Sequence, residues 1–157
     1  MRKLIYSFML AVAACMMFTS CGDDPKTFSG TYTFSNVEAD IKATAVSVDQ
    51  SMVDTYINMA KGEYLAEFKE MFKGATITVD DVNNKATLFY DGETEEYDFV
   101  QDNGKYTMSL PQEQYVMIGT ISNSELTMTE DLTDEMEDMF DGMATVDRFA
   151  FTATFVK

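Results

Sequence analysis

Few residue types in this chain can do chemistry. There is no histidine among its 157 residues, and cysteine occurs only at Cys15 and Cys21. Without histidine the commonest general base is missing, and so is the commonest zinc, copper and haem ligand. Catalysis needs a nucleophile, a base and an orienting group within reach of one another. Carboxylates, tyrosines and lysines remain, but among 27 Asp and Glu residues no carboxylate pair stands apart. The chain is therefore read as a non-enzyme, with no catalytic residue, no cofactor and no metal ligand. The acidic run Glu130, Asp131, Asp134, Glu135, Glu137, Asp138, Asp141 invites a calcium reading. It lacks the ligand spacing and fixed glycine of a calcium-binding loop, so it reads as a solvated helix face. Two features survive: the thiol of Cys21, and an alternating set of aromatic and methionine side chains.

Cys21 closes a short apolar run. Arg2-Lys3 comes first, residues 4–18 are apolar apart from Ser7, and Thr19-Ser20 is small. The run is too short to cross a hydrocarbon core of ~30 Å as a helix. It has the charged start and apolar centre of an export signal. Small residues directly before a cysteine resemble the bacterial lipoprotein signal, whose cysteine becomes the diacylated N-terminus. The pattern departs at Phe18, where Leu, Val or Ile is usual. Val12-Ala13-Ala14-Cys15 fits the letters better, yet Met16-Met17-Phe18 continues the apolar run behind it. Gly22-Asp23-Asp24 behind Cys21 is polar. Cys21 is the expected lipidation site and Cys15 the alternative; an ordinary secretory signal with a spare cysteine is a third reading. Residues 1–20 then form a signal peptide, 21–28 a lipid-anchored tether and 29–157 one folded domain. Two or three acyl chains, at ~0.8 kcal/mol per buried CH₂, make a stable anchor. Asp23-Asp24 resembles a short version of the acidic surface-export signals of Bacteroidetes-type Gram-negative bacteria. The expected location is the outer membrane, on its periplasmic or cell-surface face.

Removal of Arg2 and Lys3 leaves nine basic residues against 27 acidic ones, a net charge of −18. Such a surface repels phosphate backbones and anionic headgroups, so nucleic acid is not an expected partner. The membrane contact falls to the acyl anchor. No second cysteine survives to form a disulfide.

The elements that position the aromatic set are legible from periodicity. Ser29 to Phe34 alternates as a strand and continues, with a bulge, through Ile41, Ala43 and Ala45. From Asp49 to Lys73 the period becomes helical. Met52, Tyr56, Ala60, Tyr64, Phe68 and Phe72 form an i+4 row read as one apolar face. Asp49 or Ser51 caps the start, Gly74 ends it, and Gly62 divides it into helices near 49–60 and 63–73. Four two-residue turns come next: Asn83-Asn84, Asp91-Gly92, Asn103-Gly104 and Asn123-Ser124. They pair Val79 with Leu88, Tyr90 with Glu93, Phe99 with Met108 and Ile121 with Leu126; a four-residue connection at 111–114 pairs Met108 with Met117. Apolar meets apolar on one face in nearly every pair, which predicts a six-stranded antiparallel meander over 75–130. Phe89, Val100, Val116 and Ile118 fall on the other, polar face and are expected beneath a helix or the chain ends. Residues 130–142 return to helical spacing, and a last strand runs from Thr145 to Val156. The fold class is mainly β with helical insertions: eight antiparallel strands closed into an up-and-down barrel, a helical segment between strands 1 and 2, and a short helix before the last strand.

Gly30-Thr31-Tyr32 resembles the Gly-x-Trp element of lipocalins and the wider calycin group, with Tyr32 in place of tryptophan. In that group an arginine near the last strand packs over the aromatic ring, and Arg148 stands in a comparable place. The helical segment after strand 1 is closer to the lid of fatty-acid-binding proteins. With its signal, the chain is similar to lipocalin-like lipoproteins of Bacteroidetes-type bacteria. The barrel residues expected to line a ligand site are Tyr32, Phe34, Tyr90, Glu95, Tyr97, Phe99, Tyr106, Met108, Tyr115, Met117, Phe149 and Phe151. Tyrosine hydroxyls orient a flat or acyl ligand and methionine adapts to its shape. The competing reading is a filled barrel in which the same side chains are core. The first reading makes the chain a carrier of a small apolar or aromatic ligand. The second makes it an interaction or structural lipoprotein docking onto an outer-membrane assembly.

Overall fold

Alternation of apolar and polar residues builds eight strands, and one helical stretch interrupts them. A computed structural model describes residues 27–110, 116–134, 136, 140 and 142–157. The elements are β1 (Gly30–Ala45), α1 (Gln50–Met71), β2 (Thr76–Asp80), β3 (Lys85–Tyr90), β4 (Glu93–Asp102), β5 (Lys105–Ser109), β6 (Val116–Ile121), β7 (Glu125–Asp131) and β8 (Ala144–Val156). Each strand pairs antiparallel with its sequence neighbour, and β8 returns to β1, so the sheet is a closed up-and-down barrel. Closure leaves no full-length edge to recruit another chain. Cys21, Tyr115 and the 111–114 connection lie outside the described residues.

The turn chemistry fixes most of the register. Asp91-Gly92 and Asn103-Gly104 have positive φ at both positions, +48° and +78°, and +50° and +78°, as a type I′ turn requires. They set Tyr90 opposite Glu93 and Phe99 opposite Met108. The first turn differs from expectation. Only Asn84 takes positive φ, and the Asp80 carboxylate accepts from the Asn83 amide at 3.1 Å. The connection becomes the four residues 81–84, so Ile77, not Val79, faces Leu88, and Val79 faces Ala86. A slip of two residues leaves every side chain on its face, so the apolar set still points inward. The last turn needs no positive φ: the Ser122 hydroxyl accepts from the Glu125 amide at 3.0 Å, and Ile121 faces Leu126 as expected.

β1 is bulged between Phe34 and Asn36, which carries the inward parity from Tyr32 and Phe34 over to Val37, Ala39 and Ile41. β2 pairs only with Gly30–Thr33. Beyond that, β1 has β8 on one side, and α1 runs back along the other. Gln50 closes the free edge near its end, accepting from the Ala45 amide at 2.9 Å and donating to the Ala43 carbonyl at 3.0 Å.

α1 is one helix, not two: Gly62 sits inside it, and Gly74, at φ +76°, comes just after its end as expected. Asp49 occupies the N-cap but makes no side-chain cap bond. The i+4 row does not stay on one face. Each four-residue step overshoots a full turn by about 40°, so the row winds around the helix. Its end is inside, with Phe72 buried, while Met52 and Tyr56 are each 46% exposed. The face that packs is instead Val53, Ile57, Tyr64, Phe68 and Phe72.

Residues 130–142 also differ from expectation. Glu130 and Asp131 belong to β7. Beyond that strand, Asp134, Met136 and Phe140 have 3₁₀ geometry, with Leu132 and Phe140 buried; Glu135, Glu137, Asp138, Met139 and Asp141 lie outside the described residues.

Candidate functional site

The barrel interior collects most of the residues singled out by alternation. Tyr32, Tyr97, Phe99, Tyr106, Met108 and Met117 share one buried cluster with Ile77, Leu88, Leu126 and Phe155. The Phe99 and Tyr106 rings stack with centroids 5.7 Å apart. Glu95, half-buried near a mouth, accepts from the Tyr97 hydroxyl, so this acid is already engaged by the chain itself. Tyr90 packs partly buried against the same cluster. Tyr32, Ile77, Met108, Leu126, Phe149 and Phe155 have no accessible surface at all, so no water-sized void touches them from outside or within.

A second cluster lies beneath α1 and includes Phe149 and Phe151, with Phe34 packed against both clusters. α1 supplies Tyr64, 5.4 Å from Phe149, and Phe68, 4.5 Å from Phe151. Phe72 stacks on Phe34 at 5.7 Å and meets Phe155 edge-on at 6.1 Å. These rings join the helix to the barrel. A space of about 10 Å³ remains among Val37, Phe68, Phe72, Met128, Glu130, Phe151 and Ala153, no more than a water's worth. Glu130 is the residue that sequence reasoning missed. It is 9% exposed and faces inward from β7, opposite Phe151. The signal was available in the strict alternation Leu126, Met128, Glu130. It was overridden by grouping Glu130 with the acids that come after it.

At the opposite mouth the residues at the start of β1 are tied to Lys157, just after β8. The buried Tyr32 hydroxyl lies 2.8 Å from the Phe28 carbonyl and 3.0 Å from the Ser122 carbonyl. Burial, and then the nearby Asp81 carboxylate, raise its pKa, which keeps it a neutral donor. Asp81 accepts from the Phe28 amide at 2.7 Å and from the Ser29 hydroxyl. The cation over the Tyr32 ring is Lys157, at 4.9 Å from the centroid, and its ammonium also donates to the Ser29 carbonyl at 3.0 Å. This corrects the expectation for Arg148. That residue pairs with Lys42 near the far end of β1, and its guanidinium binds Asp131 and approaches Asp40 at 3.7 Å on the outer wall.

Asp131 has opposing influences. Burial works to raise its pKa, but hydrogen bonds from Thr133 and the Arg148 charge outweigh burial and lower it. A depressed carboxyl contributes stability that is present above the ordinary carboxylate range and is lost as pH falls through the folded value. Asp131→Asn is expected to cost about 0.5–1 kcal/mol near neutral pH, because the pair is half-exposed. Its deficit against the parent should vanish as the pH approaches about 2, below the usual carboxyl range. Urea titrations at both ends check this; a deficit that persists in acid would assign the loss to packing.

The outer wall carries polar residues with exceptions. Phe89, Val100, Val116 and Ile118 are 42–63% exposed, not covered as expected from the sequence. A groove of about 350 Å³ opens between β1 and α1, with Ile41, Ala43 and Ile57 beside Lys42, Asp54 and Asn58. Its polar groups are largely engaged: Lys42 pairs with Asp40 at 3.0 Å, and Asp54 accepts from Gln50 at 2.9 Å. Among the described residues no three His, Cys, Asp or Glu side chains gather as metal ligands, and no helix is long and apolar enough to cross a membrane. The fold and interior thus define an eight-stranded antiparallel barrel packed with its own side chains and joined to one helix. No family model matches the chain, and no curated protein and no solved structure matches it.

Proposed function

We propose that this chain is an exported, lipid-anchored, non-catalytic interaction module that works through its outer surface, with a filled barrel as rigid support. One observation carries this reading: Tyr32, Tyr97, Phe99, Tyr106, Met108, Met117, Phe149 and Phe151, expected to line a ligand cavity, are buried against one another, none more than 4% exposed. Ligand sites of this kind enclose about 300–1,000 Å³. Room on that scale would require Phe68 and Phe72 to leave Phe151 and Phe155, breaking the ring contacts that seat α1. The carrier reading is therefore the weaker one. The calycin-like reading is supported by Tyr32 with Lys157 over its ring at the mouth where the start of β1 meets the end of β8. The anchor at Cys21 and the outer-membrane location are supported by the signal-like N-terminus.

One preparation from the native host tests both halves. Native mass spectrometry of the detergent-extracted protein is expected to show the acylated chain with no further bound mass. A stoichiometric lipid-sized adduct would sink the filled-barrel reading in favour of a carrier. In the same host, Cys21→Ala is expected to move the protein out of the membrane fraction. Retention of Cys21→Ala together with release by Cys15→Ala would relocate the anchor.

A further inference from the structure

Polar bonds fix the point where the chain enters the barrel. The Phe28 amide donates to Asp81 at 2.7 Å, its carbonyl accepts from the Tyr32 hydroxyl at 2.8 Å, and its ring is buried. The Ser29 hydroxyl also donates to Asp81, and the Ser29 carbonyl accepts from Lys157 at 3.0 Å. Cys21 lies seven positions before Phe28, a reach of at most about 25 Å at full extension. An anchor at Cys21 therefore keeps this mouth within that distance of the lipid surface. Because successive strands reverse direction, the turns at 81–84, 103–104 and 122–124 all lie at this mouth. The Asp91-Gly92 turn is at the other end of β4, roughly 30 Å away along the strand.

This mouth also differs in charge from the rest of the fold. Its tips, Asn83-Asn84, Asn103-Gly104 and Asn123-Ser124, are uncharged, and Val82 beside them is 78% exposed. The nearby acids Asp80, Asp81, Asp102 and Glu125 are nearly matched by Lys85, Lys105 and Lys157. Elsewhere among the described residues acids far outnumber bases, which are Lys42, Lys61, Lys69, Lys73 and Arg148. An acidic body beside anionic headgroups is least repelled with its most balanced end toward them. We propose that the Tyr32 mouth rests on phospholipid headgroups, held there by the Asp81 clamp on Phe28 and Ser29, and that the opposite mouth and the start of α1 point away from the membrane. This orientation rests on the anchor at Cys21, not on whether the barrel is filled.

The test uses full-length protein made in the native host with one added cysteine: Val82→Cys, Asn103→Cys, Met52→Cys or Asp91→Cys. Each is labelled with a fluorophore and reconstituted into phosphatidylethanolamine and phosphatidylglycerol vesicles containing a headgroup-nitroxide lipid. Quenching is expected at positions 82 and 103 and its absence at 52 and 91. The parent chain should show an acylated mass and take no label, because acylation occupies the Cys21 thiol. An unacylated mass overturns both the anchor and the orientation. An acylated mass with no difference between the two pairs of positions, or with stronger quenching at 52 and 91, overturns the orientation alone. Asp81→Ala added to the Asn103→Cys chain removes the acceptor that holds Phe28 and Ser29. It should lower the quenching while leaving the acylated mass and the circular dichroism spectrum unchanged; undiminished quenching overturns the clamp.

Discussion

Gly119→Val is expected to destabilise the barrel by at least ~3 kcal/mol. Gly119 lies on β6 between Tyr106 of β5 and Met128 of β7. A Cβ at this position would stand 1.8 Å from the Thr127 carbonyl oxygen and within 2.8 Å of the Tyr106 ring and hydroxyl. A flexible side chain can turn aside, but the Thr127 carbonyl belongs to the neighbouring strand's backbone. The strands must separate, or Tyr106 must leave the core. Ile118→Thr, one residue away on the outer wall and 51% exposed, should stay within about 0.5 kcal/mol of the parent. Urea unfolding followed by circular dichroism compares the two. A Gly119→Val chain within about 1 kcal/mol of the parent would mean the β6–β7 spacing is wrong.

Phe155→Ala is expected to cost about 3–5 kcal/mol. Phe155 has no accessible surface and meets both Phe34 and Phe72. Truncation leaves a void at the point where α1 is seated on the barrel, so the loss should be shared by a helix distant in sequence. Hydrogen exchange should show α1 amides losing protection more than those of β4 and β5. Phe89→Ala removes the same ring from the exposed wall and should change stability by less than about 0.5 kcal/mol. Unchanged α1 protection in Phe155→Ala would show that Tyr64 and Phe68 hold the helix without Phe72.

The contrast between those two phenylalanines shows what could be read in advance. Parity along a strand assigns Phe155 and Phe89 to opposite faces, and both assignments hold. Whether an outward apolar residue is covered depends on elements far away in sequence, so the expected cover over Val100 and Ile118 could not be inferred. The Asn83-Asn84 turn slipped by two residues because an Asp80 side chain competed for the turn's amides, and the face survived because the pleat repeats every two residues. The i+4 row on α1 marked a helix correctly and its buried face wrongly, since 3.6 residues per turn carries such a row around the cylinder. Glu130 was assigned to a helix because the acids around it dominate a short window.

By itself the sequence determined the strand count, the hairpin order, the inward set from Tyr32 to Phe155, a helical segment between the first two strands, and the absence of histidine. These are properties of periodicity and composition, carried by residues near one another in the chain. Only the tertiary structure decided that the aromatic set fills the interior, because residual volume depends on how side chains from eight strands and a helix interlock. It also decided that Lys157, not Arg148, lies over Tyr32. The pairing of β8 with β1 places Arg148 opposite Lys42, near the far end of the strand, and leaves Lys157 beside the Tyr32 ring.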